Sequence, residues 1–141
     1  MRYAVSIGTM PTCDAATTER LIFEFTNAFR GVYGLPALKW NDKLATAARS
    51  HSEDMKKRGF FNHTNPDGLD VGDRITAAGY KWRACAENIY MRSWGANAVY
   101  AVDGWVNSPG HRKNLLTTVC DELGVGVSGN YYTQNFGKTR N

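Results

Sequence analysis

The C-terminal part of the chain has the pattern of a β-hairpin, and this pattern places the strongest restriction on the fold. Leu123, Val125 and Val127 alternate with glycine and serine, which is typical of a strand. A Gly-Asn pair follows at positions 129 and 130 and predicts a tight turn before a second strand. The predicted hairpin spans Glu122–Lys138.

The glycines of the first hairpin strand also fit the spacing of a known binding motif. Gly124-Val-Gly-Val-Ser-Gly129 matches the dinucleotide-binding fingerprint GxGxxG. That motif needs a preceding strand and a following helix, because the phosphates bind at the start of the helix. Neither is predicted here, so we reject a nucleotide site and expect the glycines to leave room on a packed sheet face.

Helical periodicity dominates the rest of the chain, since apolar residues recur three and four positions apart. Residues 82–92 instead alternate as a strand, which carries Glu87 among apolar neighbours. A carboxylate is rarely buried without a partner, so Glu87 either has one or faces water at a sheet edge. The predicted helices cover residues 18–33, 41–59, 70–79 and 96–106, and a short fifth helix begins near Ser108 and Pro109.

Length and composition are those of one globular domain. The chain has 141 residues, 43% of them hydrophobic, and we divide it into an N-terminal tail at 1–17 and a single domain at 18–141. No apolar run approaches the roughly 20 residues of a transmembrane segment. Basic residues are interleaved with acidic ones, so the net charge of +4 does not predict nucleic-acid binding, although it permits weak attraction to anionic membranes or polysaccharides.

The N-terminus and the cysteines bear on the cellular compartment. The segment Met1–Thr12 lacks the hydrophobic region and cleavage pattern of a signal peptide, so the chain either stays inside the cell or is a mature chain with an added start. Cys13, Cys85 and Cys120 are too few for a disulfide scaffold. At most one bridge forms, and the alternative is three free thiols of which two are buried.

The segment Trp105–Leu116 carries the first candidate site residue. Ser108 suits the N-cap of a short helix and Pro109 suits its first position, so His111 falls in the first turn. The positive end of the helix dipole lowers the proton affinity of an imidazole there, and a neutral imidazole can ligate a metal or act as a base. The alternative is that Ser-Pro-Gly forms only a turn and that His111 is a surface residue.

Two further histidines have different expected roles. His63 lies in the loop at 60–68, between two aromatic residues and an Asn-Pro-Asp-Gly turn that fixes the loop shape, and such loops often carry sites. His51 shares the apolar stripe of the second predicted helix, which favours a structural role. Arg74, in the helix after this loop, is expected to brace the loop or to face solvent.

Several short motifs occur in a fixed order along the chain. Together they resemble the CAP superfamily, which comprises the cysteine-rich secretory proteins, antigen 5 and the plant pathogenesis-related proteins, and they look most like its bacterial SCP-domain members. The motifs are Phe61-Asn-His-Thr64, Gly79-Tyr80, Ala86-Glu-Asn-Ile89, Trp105-x-x-Ser-Pro-Gly-His-Arg112, Asn114-Leu-Leu116, Gly124-Val-Gly126 and Tyr132-Thr-Gln-x-Phe-Gly137.

This resemblance implies an α+β fold, a three-layer α-β-α sandwich with a central antiparallel sheet. It also implies a cleft lined by two histidines and two acids, which fall at His63, His111, Glu87 and Asp103 of this chain. Asp103 is one methylene shorter than the glutamate of many members, so it is expected to reach the cleft only through water. A protein of this type is expected to be extracellular or periplasmic.

The four cleft residues are compatible with more than one chemistry. Two neutral imidazoles suit a divalent ion such as Zn²⁺, which makes His63 and His111 candidate metal ligands. A metal-bound water beside Glu87 would be a hydrolytic nucleophile, with all four residues as the catalytic set. The same groups also satisfy one another as a polar cluster, in which each imidazole N–H bonds a carboxylate.

Two functions therefore compete. The resemblance favours a secreted binding or effector module whose partner is a small hydrophobic ligand such as a lipid or sterol, a glycan, or a protein. The alternative is a metal-dependent hydrolase or peptidase that uses the same cleft. The binding hypothesis predicts an aromatic rim around the cleft, formed by Tyr80, Trp82, Tyr90, Trp94 and Tyr132.

Overall fold

The computed structural model describes residues 13–140 of the chain. Within this range, the helices and strands largely follow the periodicity of the sequence. In chain order they are α1 (Ala15–Val32), β1 (Lys39–Trp40), α2 (Asp42–Arg58), α3 (Val71–Ala77), β2 (Trp82–Met91), α4 (Ala98–Val106), α5 (Pro109–Leu115), β3 (Glu122–Ser128) and β4 (Tyr131–Thr139).

Helix α1 begins before the position that its apolar pattern predicts. Asp14 is the N-cap, and its carboxylate accepts a hydrogen bond from the Thr17 N–H at 2.7 Å. Residues 15–17, which we assigned to the N-terminal tail, are therefore helical. The segment Met1–Thr12, on which the signal-peptide prediction depends, lies outside the described residues.

The sheet has the strand order β1-β3-β4-β2. Strand β4 pairs antiparallel with both β3 and β2, as the predicted hairpin and strand require. The sequence analysis did not predict β1, a two-residue edge strand that pairs parallel to β3 through Lys39 and Trp40. Strand β2, which carries Glu87, forms the opposite edge of the sheet.

Helices cover both faces of the sheet, and the predicted three-layer α-β-α sandwich is confirmed. On one face, α1, α4 and α5 enclose the larger core, to which β3 contributes its alternating apolar residues and α4 contributes the buried Trp105. On the other face, α2 and α3 pack with a smaller core. That smaller core consists of Leu44, Ala47, Ile75 and Tyr80.

Two glycines of β3 bring α2 unusually close to the sheet. A Cβ atom at Gly124 would lie 2.1 Å from the Ala45 nitrogen, and one at Gly126 would lie 2.0 Å from the Arg49 nitrogen. No side chain fits at such distances, so these glycines leave room for a helix, as the sequence analysis expected. The close approach also lets Ser52 of α2 donate a hydrogen bond to the Gly126 carbonyl at 2.8 Å.

The alternation of β2 distributes the site residues between the two layers. Glu87 lies opposite Asn135 of β4 and shares the face that α2 and α3 cover. Asn88 points to the other face, where its amide donates to the His111 carbonyl of α5 at 3.1 Å. The edge strand thus holds the helix that carries His111 on one side and receives the loop that carries His63 on the other.

Candidate functional site

Glu87 is the centre of a buried polar cluster. Its side chain is only 2% exposed, and each of its oxygens has a hydrogen-bonding partner. Oε1 lies 2.9 Å from His63 Nδ1, and Oε2 accepts from Arg74 Nη2 at 2.5 Å. The orientation of the Asn135 amide that satisfies its neighbours adds a third contact, with Nδ2 2.9 Å from Oε2. The partner that the sequence analysis required for a buried Glu87 is therefore present.

Arg74 is the residue that the sequence analysis placed least well. Its side chain is 8% exposed, and besides pairing with Glu87 it donates through Nη1 to the His63 carbonyl at 2.6 Å and to the Leu69 carbonyl at 3.1 Å. Arg74 therefore braces the loop, which was one of the two roles predicted for it. It also neutralises the buried carboxylate of Glu87. The sequence signal for the role of Arg74 was Glu87 itself, because a buried glutamate in a predicted strand requires a cation nearby.

His63 is fixed at one ring nitrogen and open at the other. Its loop is shaped by Asn65, whose side chain accepts hydrogen bonds from the backbone N–H groups of Asp67 and Leu69. Because Nδ1 is held by Glu87, the free nitrogen is Nε2, which has no hydrogen-bonding partner among residues 13–140. The side chain is 51% exposed, so this atom is available to a ligand.

His111 is held in a similar way by a different group. Ser108 occupies the N-cap position of α5, but its hydroxyl makes no capping hydrogen bond and instead lies 2.8 Å from His111 Nδ1. This corrects the predicted role of Ser108 and again leaves Nε2 without a partner in the described range. Burial lowers the pKa of His111, and the neighbouring His63 lowers it further. Burial thus favours the neutral imidazole that we expected.

Adjacent residues of β2 connect the elements that carry the two rings, since Glu87 contacts His63 and Asn88 donates to the His111 carbonyl. Three amide side chains hold α5, the helix that carries His111, against the sheet. Asn88 accepts from Asn114 Nδ2 at 2.9 Å and donates to Gln134 at 2.9 Å, in addition to its bond to the His111 carbonyl. The sequence analysis did not identify this network, which has no periodic pattern to reveal it.

His51 lies behind the cluster and has a mainly structural role, as predicted. It is 1% exposed, and its Nε2 lies 2.9 Å from the Asn62 carbonyl, next to His63 in the same loop. Burial lowers the pKa of His51, although the nearby Glu87 acts to raise it. His51 Nδ1 and Arg74 Nε are buried and make no hydrogen bond with any residue of the described range.

Comparisons with known proteins identify the family. The family model of the cysteine-rich secretory proteins, CAP, matches residues 23–137. The chain belongs to the CAP family. None of the helices in residues 13–140 of this CAP domain is both long enough and apolar enough to cross a membrane.

Individual relatives agree with this assignment. YlbC, an uncharacterized membrane protein of Bacillus subtilis, is 41% identical over 120 residues, which cover 85% of this chain and 34% of YlbC. The uncharacterized protein YkwD of the same strain is 36% identical over 120 residues, or 84% of this chain and 46% of YkwD. A crystal structure of an extracellular SCP-domain protein from Bacillus anthracis has a TM-score of 0.85 and 36% identity, and covers 93% of this chain and 45% of that one. The chain spans less than half of each.

Asp103 does not join the cluster in this CAP domain. It is exposed on α4, and its carboxylate accepts a hydrogen bond from the Asn107 amide at 3.1 Å. It forms no hydrogen bond or ion pair with His63, Glu87 or His111 within residues 13–140. The short aspartate side chain is satisfied locally, at the corner between α4 and α5.

The predicted aromatic rim is mostly part of the protein interior. Tyr80 and Tyr132 are 2% and 3% exposed, and each belongs to one of the two cores. Tyr90 packs edge-on against Trp105 and Tyr132, and the Trp82 indole donates to the Gly72 carbonyl. Trp94 alone among these five residues is largely exposed, at 75%.

The accessible imidazoles are the candidate metal donors of the CAP domain. Residues 13–140 contain no group of three or more His, Cys, Asp or Glu side chains arranged to hold an ion. Because Glu87 is occupied by His63 and Arg74, the cluster offers two nitrogen ligands, one fewer than the usual catalytic zinc site. A divalent ion held by these two nitrogens would need water or a bound partner to complete its coordination, and Glu87 and Ser108 would orient the rings.

Proposed function

We propose that this CAP domain is a ligand-binding module that acts outside the cell, and that its ligand binds to the free Nε2 atoms of His63 and His111. One observation carries the proposal: each ring is anchored through Nδ1, to Glu87 at 2.9 Å and to Ser108 at 2.8 Å, while its other nitrogen has no protein partner in the described range. Rings held in this way are preorganised, so little orientational freedom is lost when a ligand binds.

An extracellular location is supported by a relative. The Bacillus anthracis protein that shares 36% identity and a TM-score of 0.85 with this chain is described as extracellular and as containing an SCP domain. The three free cysteines neither require nor oppose this location, since none of them is needed to close the fold.

The hydrolase alternative receives less support from the geometry. A general base must accept a proton from a water molecule that it contacts. Both oxygens of Glu87 are instead engaged by His63 and Arg74, and the side chain is 2% exposed. A carboxylate in this state orients an imidazole and does not reach solvent.

The arrangement also narrows the class of ligand. Four of the five aromatic residues expected at a lipid-binding rim are buried or half-buried, so these five residues offer little surface to a lipid or sterol. Two imidazole nitrogens favour a ligand with donor or acceptor atoms, such as a divalent ion or a polar group of a glycan or peptide. A bound Zn²⁺ would supply a Lewis-acidic point of attachment for such a group.

Calorimetric titration with Zn²⁺ at pH 7.5 tests the proposal most directly. We expect one site in the wild-type domain and no measurable binding in His63→Ala or His111→Ala. Ser108→Ala removes only the group that orients His111, so its affinity should fall about tenfold, the lower end of the range for outer groups of metal sites. Circular dichroism establishes that each variant is folded.

Asp103→Asn is the matched control. Asp103 is an acidic residue of the predicted set that makes no contact with the cluster, so its replacement should leave the zinc affinity unchanged. Zinc binding that survives in both histidine variants would overturn the proposed site. Turnover of a peptide or ester that is lost in Glu87→Gln would favour the hydrolase instead.

A further inference from the structure

Arg30 is a buried cation that has no acidic partner among residues 13–140. The residue is 2% exposed on α1, where Nε donates to the Pro36 carbonyl at 3.0 Å. Nη1 donates to the carbonyls of Leu115 and Thr117 at 2.9 and 2.8 Å, just where α5 ends. These carbonyl dipoles stabilise the guanidinium, but they carry no net charge to neutralise it.

One nitrogen of this guanidinium remains unused. Nη2 makes no hydrogen bond within residues 13–140, and Arg30 forms no ion pair there. Burial lowers the pKa of Arg30, against a smaller opposing effect of Cys120. A buried arginine with free N–H groups is well suited to bind an oxyanion, because the guanidinium remains charged and donates in a fixed geometry.

Arg30 lines a cavity of about 470 Å³ that other basic side chains surround. Lys39 of β1, Arg83 of β2 and Lys138 of β4 line the same cavity, so its cations come from three strands. Asp121 is the only acidic residue in the lining, and it pairs with Lys138 at 2.8 Å. Lys39 and Arg83 are exposed and form no ion pair in the described range. The cavity shares no lining residue with the His63–Glu87–His111 cluster.

We propose that this cavity is an anion-binding site for the phosphate group of an organic phosphate, with Arg30, Lys39, Arg83 and Lys138 of its lining as the cations that bind the group. A phosphate monoester carries about two negative charges near neutral pH and offers three acceptor oxygens, which suits several converging cations better than a single carboxylate does. The cavity is also lined by Leu35, Pro36 and Val119, which can contact the organic part of the ligand.

Titration of the isotope-labelled chain with inorganic phosphate and with glycerol 3-phosphate, followed by amide ¹H–¹⁵N NMR, tests this site. We expect saturable shifts at the amides of residues 118–121, with tighter binding of the ester and no saturation by acetate at the same concentrations. Arg30 is not varied, because its bonds to three carbonyls also hold the fold together.

The exposed cations provide variants that should fold normally. Lys39→Gln combined with Arg83→Gln should weaken binding about tenfold, because two exposed charges are removed. Asp121→Asn frees Lys138 and should tighten binding. The matched control combines Lys56→Gln with Lys57→Gln, which makes the same charge change on the exposed surface of α2.

The outcomes separate a built site from general charge attraction. Weakening by the cavity pair and not by the control pair supports the proposal. An equal loss in both pairs, or the absence of saturable shifts, overturns it. Saturation by inorganic phosphate without binding of the ester, or equal binding of acetate, overturns the assignment to organic phosphates. None of these results depends on the histidine cluster, so the proposal fails or stands independently of the zinc site.

Discussion

Glu87 acts mainly through its neighbours. Its carboxylate joins strand β2, the His63 loop and helix α3 in one contact set, since its partners are His63 and Arg74. Arg74 reaches back to the backbone of the same loop through the His63 carbonyl. The orientation of the exposed imidazole therefore depends on the buried ion pair between Glu87 and Arg74.

Glu87→Gln tests this dependence. Gln keeps the shape of the side chain but leaves Arg74, which is 8% exposed, without its countercharge. Since removal of one partner of a buried pair is costly, we expect a loss of about 3 kcal/mol in the free energy of unfolding, measured by urea denaturation. Asp121→Asn, which breaks the exposed pair with Lys138, should cost under about 1 kcal/mol. Equal losses in the two variants would contradict the buried role of Glu87.

The buried His51 predicts a dependence of stability on pH. Burial lowers its pKa below the ordinary 6.5 in the folded protein, and among its neighbours Glu87 and Asp54 act to raise that pKa while Arg74 acts to lower it. The unfolded chain therefore binds a proton near pH 6.5, where the folded chain does not. Stability from this residue is complete above pH 6.5 and falls as the pH drops toward the folded pKa, by at most about 1.4 kcal/mol per pH unit.

His51→Gln removes this contribution, because the amide keeps a donor for the Asn62 carbonyl and does not titrate. Urea denaturation between pH 7.5 and 5 should show a shallower decline in the variant than in the wild type. Some decline should persist, since burial also lowers the pKa of His111. Identical slopes in the two proteins would show that His51 is not the group responsible.

These residues show what the sequence could and could not predict about the site. The motifs indicated His63, Glu87 and His111, and the buried position of Glu87 demanded a partner. The partner itself, Arg74, lies in another element, and only the folded arrangement of α3 against β2 joins the two. Ser108 has a suitable side chain for an N-cap, but the imidazole three residues later competes for its hydroxyl.

The helices and strands were predicted correctly wherever the alternation of apolar and polar residues extends over a long segment. The strands β2, β3 and β4 and all five helices were expected close to their positions. The two-residue strand β1 was not, because Lys39 and Trp40 are too few for an alternating pattern and pair only when β3 is alongside. The start of α1 was missed because Asp14 caps it ahead of the first apolar position.

The contact between α2 and β3 gives a sharp test of the packing. Gly126→Ala places a methyl group where the Arg49 backbone nitrogen is 2.0 Å away, so the helix must move off the sheet. We expect a loss of about 3 kcal/mol in the free energy of unfolding. Gly31→Ala in α1 is the control. Its new Cβ meets no atom of the described residues within 4 Å and should stabilise the helix by about 0.5–1 kcal/mol. A Gly126 variant as stable as the wild type would exclude this packing.

The sandwich as a whole decides the state of the cysteines. Cys120 belongs to the core beneath α1, α4 and α5, whereas Cys85 packs against the core beneath α2 and α3. The sheet separates them, and Cys13 is exposed ahead of α1, so all three are free thiols. Three free thiols are the alternative to a single bridge that the sequence analysis left open, but only Cys120 is buried, since Cys85 is half-buried. No motif of the sequence decides the pairing, because it depends on which face of the sheet each thiol occupies.

The reactivity of each thiol should depend on where it lies in the sandwich, so the exposed Cys13 should react faster than Cys85 and Cys120. Burial raises the pKa of Cys85 to about 11 from 9.0 and also raises that of Cys120, so the thiolate fraction of Cys85 at pH 8 falls about a hundredfold. Ellman's reagent should therefore titrate one thiol rapidly in the native protein and all three in denaturant without a reductant. Cys13→Ser should abolish only the rapid phase. A second rapid thiol would show that Cys85 or Cys120 is accessible in the native protein, and fewer than three thiols in denaturant would show that a disulfide has formed. Either result would contradict three free thiols of which only Cys13 is exposed.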